Sequence, residues 1–136
     1  MKKILLIILI TFTYTYTDLE ALQRVVYAEA RGESDEGKLA VAYVVVNRHN
    51  KSGKTIEYEA TKKSQFNVWE GEMKEKEAAK KCKTKAQAAI DGSEEDPSNG
   101  ATFFCTLDFN PDWAEGKETC AEIGNHKFFK DIAPYN

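Results

Sequence analysis

The sequence predicts an α+β fold that is mainly helical, with a small β-sheet late in the chain. Three observations carry that expectation. Two apolar runs near the start each follow a helix-capping residue. A lysine- and alanine-rich stretch in the middle repeats its apolar positions at helical spacing. Short aromatic runs between turn residues occur only after residue 100. At 136 residues the chain is one domain with room for a single core, and 42% hydrophobic with 30% charged residues is an ordinary globular mixture. The formal net charge of −3 argues against a nucleic-acid partner, because phosphate binding wants a basic surface.

Residues 1–17 read as a segment apart from the domain at 18–136. Met1-Lys2-Lys3 precedes Ile4 to Ile10, all Leu and Ile, then a Thr/Tyr run. That is the layout of a secretory signal, and the apolar part is well short of the roughly 20 residues a membrane span needs. Thr and Tyr stand where small residues usually mark cleavage, so an uncleaved anchor is a second reading and a buried strand a third. Membrane contact is expected only through this segment.

Thr17-Asp18-Leu19-Glu20 is a capping box, opening a helix that runs to about Arg31 and stops at Gly32. At about 100° per residue Leu19, Leu22, Val25, Val26 and Ala30 share a face, and Glu29 falls on it. Ser34-Asp35-Glu36 caps a second helix. Its apolar run from Leu39 to Val46 would also suit a buried strand, but the caps favour a helix. Residues 49–61 are polar and read as loop. Lys74 to Ile90 reads as an amphipathic helix, with Ala78, Ala79, Cys82, Ala86, Ala89 and Ile90 inward, its lysines solvated and Gly92 ending it. Asp96-Pro97-Ser98-Asn99-Gly100 and Asn110-Pro111-Asp112 are turns, and Ala101–Phe104 and Lys127–Phe129 are short strands.

Glu29 is the first candidate for chemistry. A carboxyl group set among apolar side chains loses solvation of its charged form and holds its proton more tightly. Glycosidic-bond protonation uses that pattern. The plainer alternative is a helix-end glutamate paired to Arg31, Arg48 or His126. Phe66, Trp69, Phe103, Phe104, Trp113, Phe128 and Phe129 lie around turns rich in amides and hydroxyls, as a carbohydrate cleft requires, although core packing accounts for most of them. Trp69 beside Gln65, and Asn99 with Thr102, are the better cleft candidates. His49 and His126 fit no zinc pattern, and no phosphate loop or nucleophile elbow is present, so neither metal nor cofactor is expected. The three cysteines have no zinc spacing. In an exported protein Cys105 and Cys120 would close a short loop, worth about 3 kcal/mol, with Cys82 the odd thiol; three reduced thiols in a cytosolic protein are the alternative.

The segments together resemble a known family. R-V-V-Y-A-E-A-R-G-E at 24–33 and G-K-L-A-V-A-Y-V-V-V-N-R at 37–48 are similar to the signature of bacterial cell-wall hydrolases typified by spore cortex-lytic enzymes. Q-F-N-V-W at 65–69, D-P-S-N-G-A-T-F-F at 96–104, P-D-W at 111–113 and I-G-N-H-K-F-F at 123–129 resemble its later blocks, in order. The resemblance implies a lysozyme-like catalytic domain acting on peptidoglycan glycan strands, with Glu29 as the catalytic acid. It implies lytic transglycosylation between N-acetylmuramic acid and N-acetylglucosamine, leaving 1,6-anhydromuramoyl ends. The expected substrate contacts are Gln65, Phe66, Trp69, Asn99, Thr102, Phe104 and His126, supported by Glu33, Arg31 and Asn47. Where the family often reads G-A-T-H-Y-Y, this chain has Phe103 and Phe104 and no histidine. Hydrolysis with Glu33 or Asp96 positioning water is the alternative chemistry, and a silent wall-binding or inhibitory protein the alternative class. A monomer is expected.

Overall fold

The computed structural model describes residues 3–4, 6–7 and 15–136. Most of the N-terminal signal segment therefore lies outside the described residues. Helix α1 spans Asp18–Ala30, and the Thr17 hydroxyl caps it by accepting from the Glu20 N–H at 3.1 Å. Leu22, Val25, Val26 and Ala30 are buried as the phasing requires. Helix α2, Asp35–Ser52, begins with the Ser34 hydroxyl accepting from the Gly37 N–H at 3.1 Å. Its run from Leu39 to Val46 is buried throughout, which resolves the helix-or-strand ambiguity in favour of a central helix. Contacts with α1, a third helix, a fourth helix and the sheet leave it little solvent-facing surface.

The stretch 49–61, expected as loop, is largely helical. Helix α2 continues to Ser52, and α3 then spans Ile56–Thr61. Thr55 caps α3 through the Tyr58 N–H at 3.0 Å, and the Asp18 carboxylate accepts from the Glu57 N–H at 2.8 Å. Two apolar anchors, Ile56 and Ala60, suffice to dock so short a helix. Its polar composition hid a buried Glu59, which pairs with the far end of the chain. Helix α4, Lys76–Asp91, lays an alanine face with Cys82 against α1 and α2 and keeps its lysines outside. It ends at left-handed Gly92.

The sheet has three antiparallel strands, β1 Phe103–Thr106, β2 Ala121–Ile123 and β3 His126–Phe129, in the order β1-β3-β2. That order overturns the expected Cys105–Cys120 disulfide: all three cysteines are free. Cys105 lies opposite Lys127 of β3, whereas Cys120 reaches β3 from the other side through Phe128. Two strand spacings of about 4.8 Å separate their backbones. A disulfide needs Cα atoms within about 6.8 Å. Their side chains also enter different apolar clusters, Cys105 with Phe129 and Ile132, Cys120 against the main core. Burial pushes all three thiols up, Cys82 to about 11, so each is held as a poorly reactive thiol.

Candidate active site

Glu29 stands in the last turn of α1, half-buried, and opens onto a cavity of about 640 Å³. Helical phasing puts it there: Val25, Val26 and Ala30 are drawn into the core, and the longer side chain between them exits at the core's edge. Its Oε1 accepts from the backbone N–H of Asn67 at 2.8 Å. The alternative of a charge-paired helix-end residue finds no support, because no ion pair to Glu29 exists among the described residues. Arg31 instead pairs with Glu75 at 2.7 Å.

One wall of the cavity is the segment after α3, where left-handed Ser64 turns the chain and presents Gln65, Phe66 and Asn67. Arg48 holds it from beneath. Its Nη1 donates to Gln65 Oε1 at 2.9 Å, and its Nε donates to the Thr102 carbonyl at 2.6 Å. The guanidinium lies 4.6, 4.3 and 4.8 Å from the ring centres of Phe66, Phe103 and Tyr135. Burial lowers the Arg48 pKa, and the neighbouring Tyr135 and Glu59 oppose that effect. The Tyr135 hydroxyl donates to Glu59 Oε2 at 2.6 Å; burial first, and then Glu59, push its own pKa up to about 12.

The facing wall comes from the sheet. Phe104 stacks on Phe66 at 6.1 Å and meets His126 edge-on at 5.1 Å. His126 Nδ1 lies 3.5 Å from Glu33 Oε1, within ion-pair range, yet makes no aligned hydrogen bond. Burial lowers the His126 pKa and outweighs the opposing pull of Glu33 and Glu29. The ring is therefore neutral at neutral pH, and we read the contact as polar rather than ionic. As pH drops below about 6.5, the unfolded chain takes up this proton before the folded one does, so the folded state loses stability there. Exchanging His126 for Gln removes that contribution. The melting-temperature advantage of the parent over His126→Gln should shrink between about pH 7.5 and about pH 5. A difference independent of pH would contradict it.

Glu33 belongs to the frame of the site. Its Oε1 accepts from the Asn125 N–H at 2.8 Å and its Oε2 from the Asn125 amide at 3.1 Å, which ties the start of α2 to the β2–β3 turn. Gly124 makes this approach possible. Its φ is +57°, and an added Cβ would lie 2.7 Å from Glu33 Oε1. Gly124→Ala should cost about 2–3 kcal/mol, from left-handed strain plus the displaced carboxylate, read as a loss in denaturant unfolding. An unchanged midpoint would show that the turn and Glu33 are not coupled.

Gln65, Phe66, Phe104 and His126 thus share the cavity with Glu29. Trp69 lines a neighbouring depression that meets the cavity at Asn67. Arg31 covers one face of its ring at 4.8 Å, and its indole N–H donates to the Glu72 carbonyl at 3.0 Å. Asn99 is elsewhere: its amide donates to the Cys120 carbonyl at 2.8 Å, beside Lys130. Thr102 is 1% exposed, so its side chain cannot meet a ligand, and its backbone serves Arg48 and Phe129. Asn47 braces the turn into β1 by donating to Asp96 Oδ2 and the Ala101 carbonyl, both at 2.9 Å. Asp96 also accepts from Ser98 and Gly100, so it is spent on that turn.

Sequence reading missed Arg48 as the post beneath the cleft, the Asn67 N–H, and Phe109 at the cavity wall. Arg48 did carry a signal: an arginine four residues after Val44, on a helix buried all round, has to find partners inside. A backbone N–H carries none.

A model of the cell wall hydrolase family matches residues 32–129. The chain belongs to that family. The match begins at Gly32, so it bears on the frame of the cleft and not on Glu29 itself. Among its relatives, the chain is 33% identical over 126 residues to a spore cortex-lytic enzyme of Oceanobacillus iheyensis, covering 83% of this chain and 41% of that protein. A spore cortex-lytic enzyme of Bacillus subtilis is 32% identical over 121 residues, covering 82% and 37%. The chain therefore spans about two fifths of the length of these relatives. The catalytic domain of the Bacillus cereus SleB protein superposes with a TM-score of 0.69 at 24% identity, over 83% of this chain and 89% of that one. The catalytic domain of the germination-specific lytic transglycosylase SleB from Bacillus anthracis gives 0.70 at 24% identity, over 89% and 100%. At that identity the likeness establishes the hydrolase fold, four helices and a small sheet.

Proposed function

We propose that this chain is an exported enzyme that cuts peptidoglycan glycan strands between N-acetylmuramic acid and N-acetylglucosamine, by lytic transglycosylation on a single carboxyl group, Glu29. One observation carries the reading: among the described residues Glu29 is the one carboxylate lining the cavity. Membership of the cell wall hydrolase family supports it, as does the likeness in fold to the lytic transglycosylase of Bacillus anthracis. Residues 1–17 serve as the export signal or anchor.

The chemistry suits one acid. The Asn67 N–H occupies Oε1, which leaves Oε2 to carry the transferable proton. Glu29 gives it to the leaving glycosidic oxygen as the bond to the muramoyl anomeric carbon breaks. The muramoyl 6-hydroxyl then attacks that carbon, and the carboxylate takes back the hydroxyl proton. The enzyme returns to its starting state with no water consumed. Neutral His126 keeps a positive charge away from Glu29, which a proton donor of this kind requires when it must also act as base. Hydrolysis would need a second carboxylate roughly 5–9.5 Å away to attack or to position water. Glu33 binds Asn125 and Asp96 its own turn, and neither lines the cavity that Glu29 faces, which favours the single-carboxyl route.

Incubating the purified chain with peptidoglycan and analysing the released fragments by mass spectrometry tests the reading. Anhydromuramoyl ends are expected. Binding to insoluble peptidoglycan without any release would point to a silent wall-binding protein instead.

A further inference from the structure

Phe109 follows β1 on the cavity wall and is 58% exposed. The cavity's other aromatic rings are already engaged: Phe66 with Phe104, Phe103 with Trp113 at 5.0 Å, and His126 with Phe104. Phe109 makes no ring contact among the described residues. Its exposure is not slackness of the chain. The Phe109 N–H donates to the Thr106 carbonyl at 3.1 Å, and its carbonyl accepts from the Cys105 thiol at 3.6 Å. On either side, the Leu107 N–H donates to the Asn125 carbonyl at 3.0 Å and Lys127 donates to Asn110 Oδ1 at 2.9 Å. A phenyl ring held on a pinned backbone, with its face left in water, forgoes the favourable burial that the cavity's other aromatic rings obtain at least in part.

We propose that Phe109 is a sugar-stacking residue of this cleft, taking the apolar C–H face of one N-acetylated pyranose of the bound glycan strand. The inference rests on the glycan reading above and adds a residue to it. The ring has no polar atom, so a flat apolar face is all it offers. Pyranose rings present such a face, and the amides of Gln65 and Asn67 across the same cavity supply partners for their polar edges. Leu107, also exposed at 45%, does not line the cavity, so the feature is specific to Phe109.

The test is binding of a soluble tetrasaccharide of alternating N-acetylglucosamine and N-acetylmuramic acid, measured by calorimetry in a Glu29→Gln background that cannot turn it over. Adding Phe109→Ala should raise Kd about 10-fold, and Phe109→Trp should keep or improve it. Unchanged affinity in Phe109→Ala, or a loss in Phe109→Trp as large as in Phe109→Ala, would overturn the stacking role while leaving the glycan reading intact. No binding by Glu29→Gln itself would overturn both. A dimer in sedimentation that Phe109→Ala dissolves, with the sugar Kd unchanged, would mark the ring as a self-association contact and overturn the proposal.

Discussion

Glu29→Gln should lower the release of soluble fragments from peptidoglycan by about 10²–10⁴-fold, the usual contribution of a positioned general acid–base. The substitution is close to silent structurally. The amide oxygen still accepts from the Asn67 N–H, the side chain keeps its length, and the half-buried site gains no unpaired charge. What disappears is the transferable proton and the carboxylate that later collects one. Unfolding temperature should therefore stay near that of the parent while activity collapses. Release at the parental rate by a folded Glu29→Gln protein would remove Glu29 from the chemistry.

Arg48→Met should be the most destabilising single change at the cleft, costing about 3–5 kcal/mol, the scale seen when one partner of a buried charge network is removed. Arg48 is 3% exposed and Glu59 1%, and both converge on Tyr135, so the variant strands a buried carboxylate. The Thr102 carbonyl and Gln65 Oε1 lose their donors as well, and three aromatic rings lose the cation between them. A fall in melting temperature of roughly 10–20 °C follows for a domain of this size. Combining Arg48→Met with Glu59→Gln removes the stranded charge and should recover part of the loss. A double variant less stable than the sum of the two single changes would contradict the network. Because Arg48 holds the segment that presents Gln65, Phe66 and Asn67, the cleft and the fold share this dependence.

How much of this was legible in the sequence depended on distance along the chain. Caps at Thr17 and Ser34 and the phasing of Val25, Val26 and Glu29 are local, and they put α1, α2 and the Glu29 side chain where the structure has them. The Lys/Ala helix was equally readable, since its stripe repeats within a few turns. Helix α3 was missed because its partners lie at Asp18 and Tyr135, at opposite ends of the chain. Strand β2 is three residues long and forms only because β3 offers it an edge. The disulfide expectation failed for a related reason. Spacing along the chain between Cys105 and Cys120 says nothing about a third strand inserted between them.

The candidate site divides in the same way. Gln65, Phe66, Phe104 and His126 stand in ordered family-like blocks and also meet around Glu29. Asn99 and Thr102 came from the same kind of block but work for the frame, one bonded to the Cys120 carbonyl and the other buried beneath Arg48. Sequence proximity to an aromatic strand does not tell which way a side chain turns.

The most direct measurement is digestion of purified peptidoglycan by the parent chain in water enriched in heavy oxygen, with mass spectrometry of the new muramoyl ends. Attack by the muramoyl 6-hydroxyl, with Glu29 as the sole acid and base, predicts anhydro ends that carry no label. Labelled reducing ends would show water as the nucleophile and contradict a single-carboxyl transglycosylase.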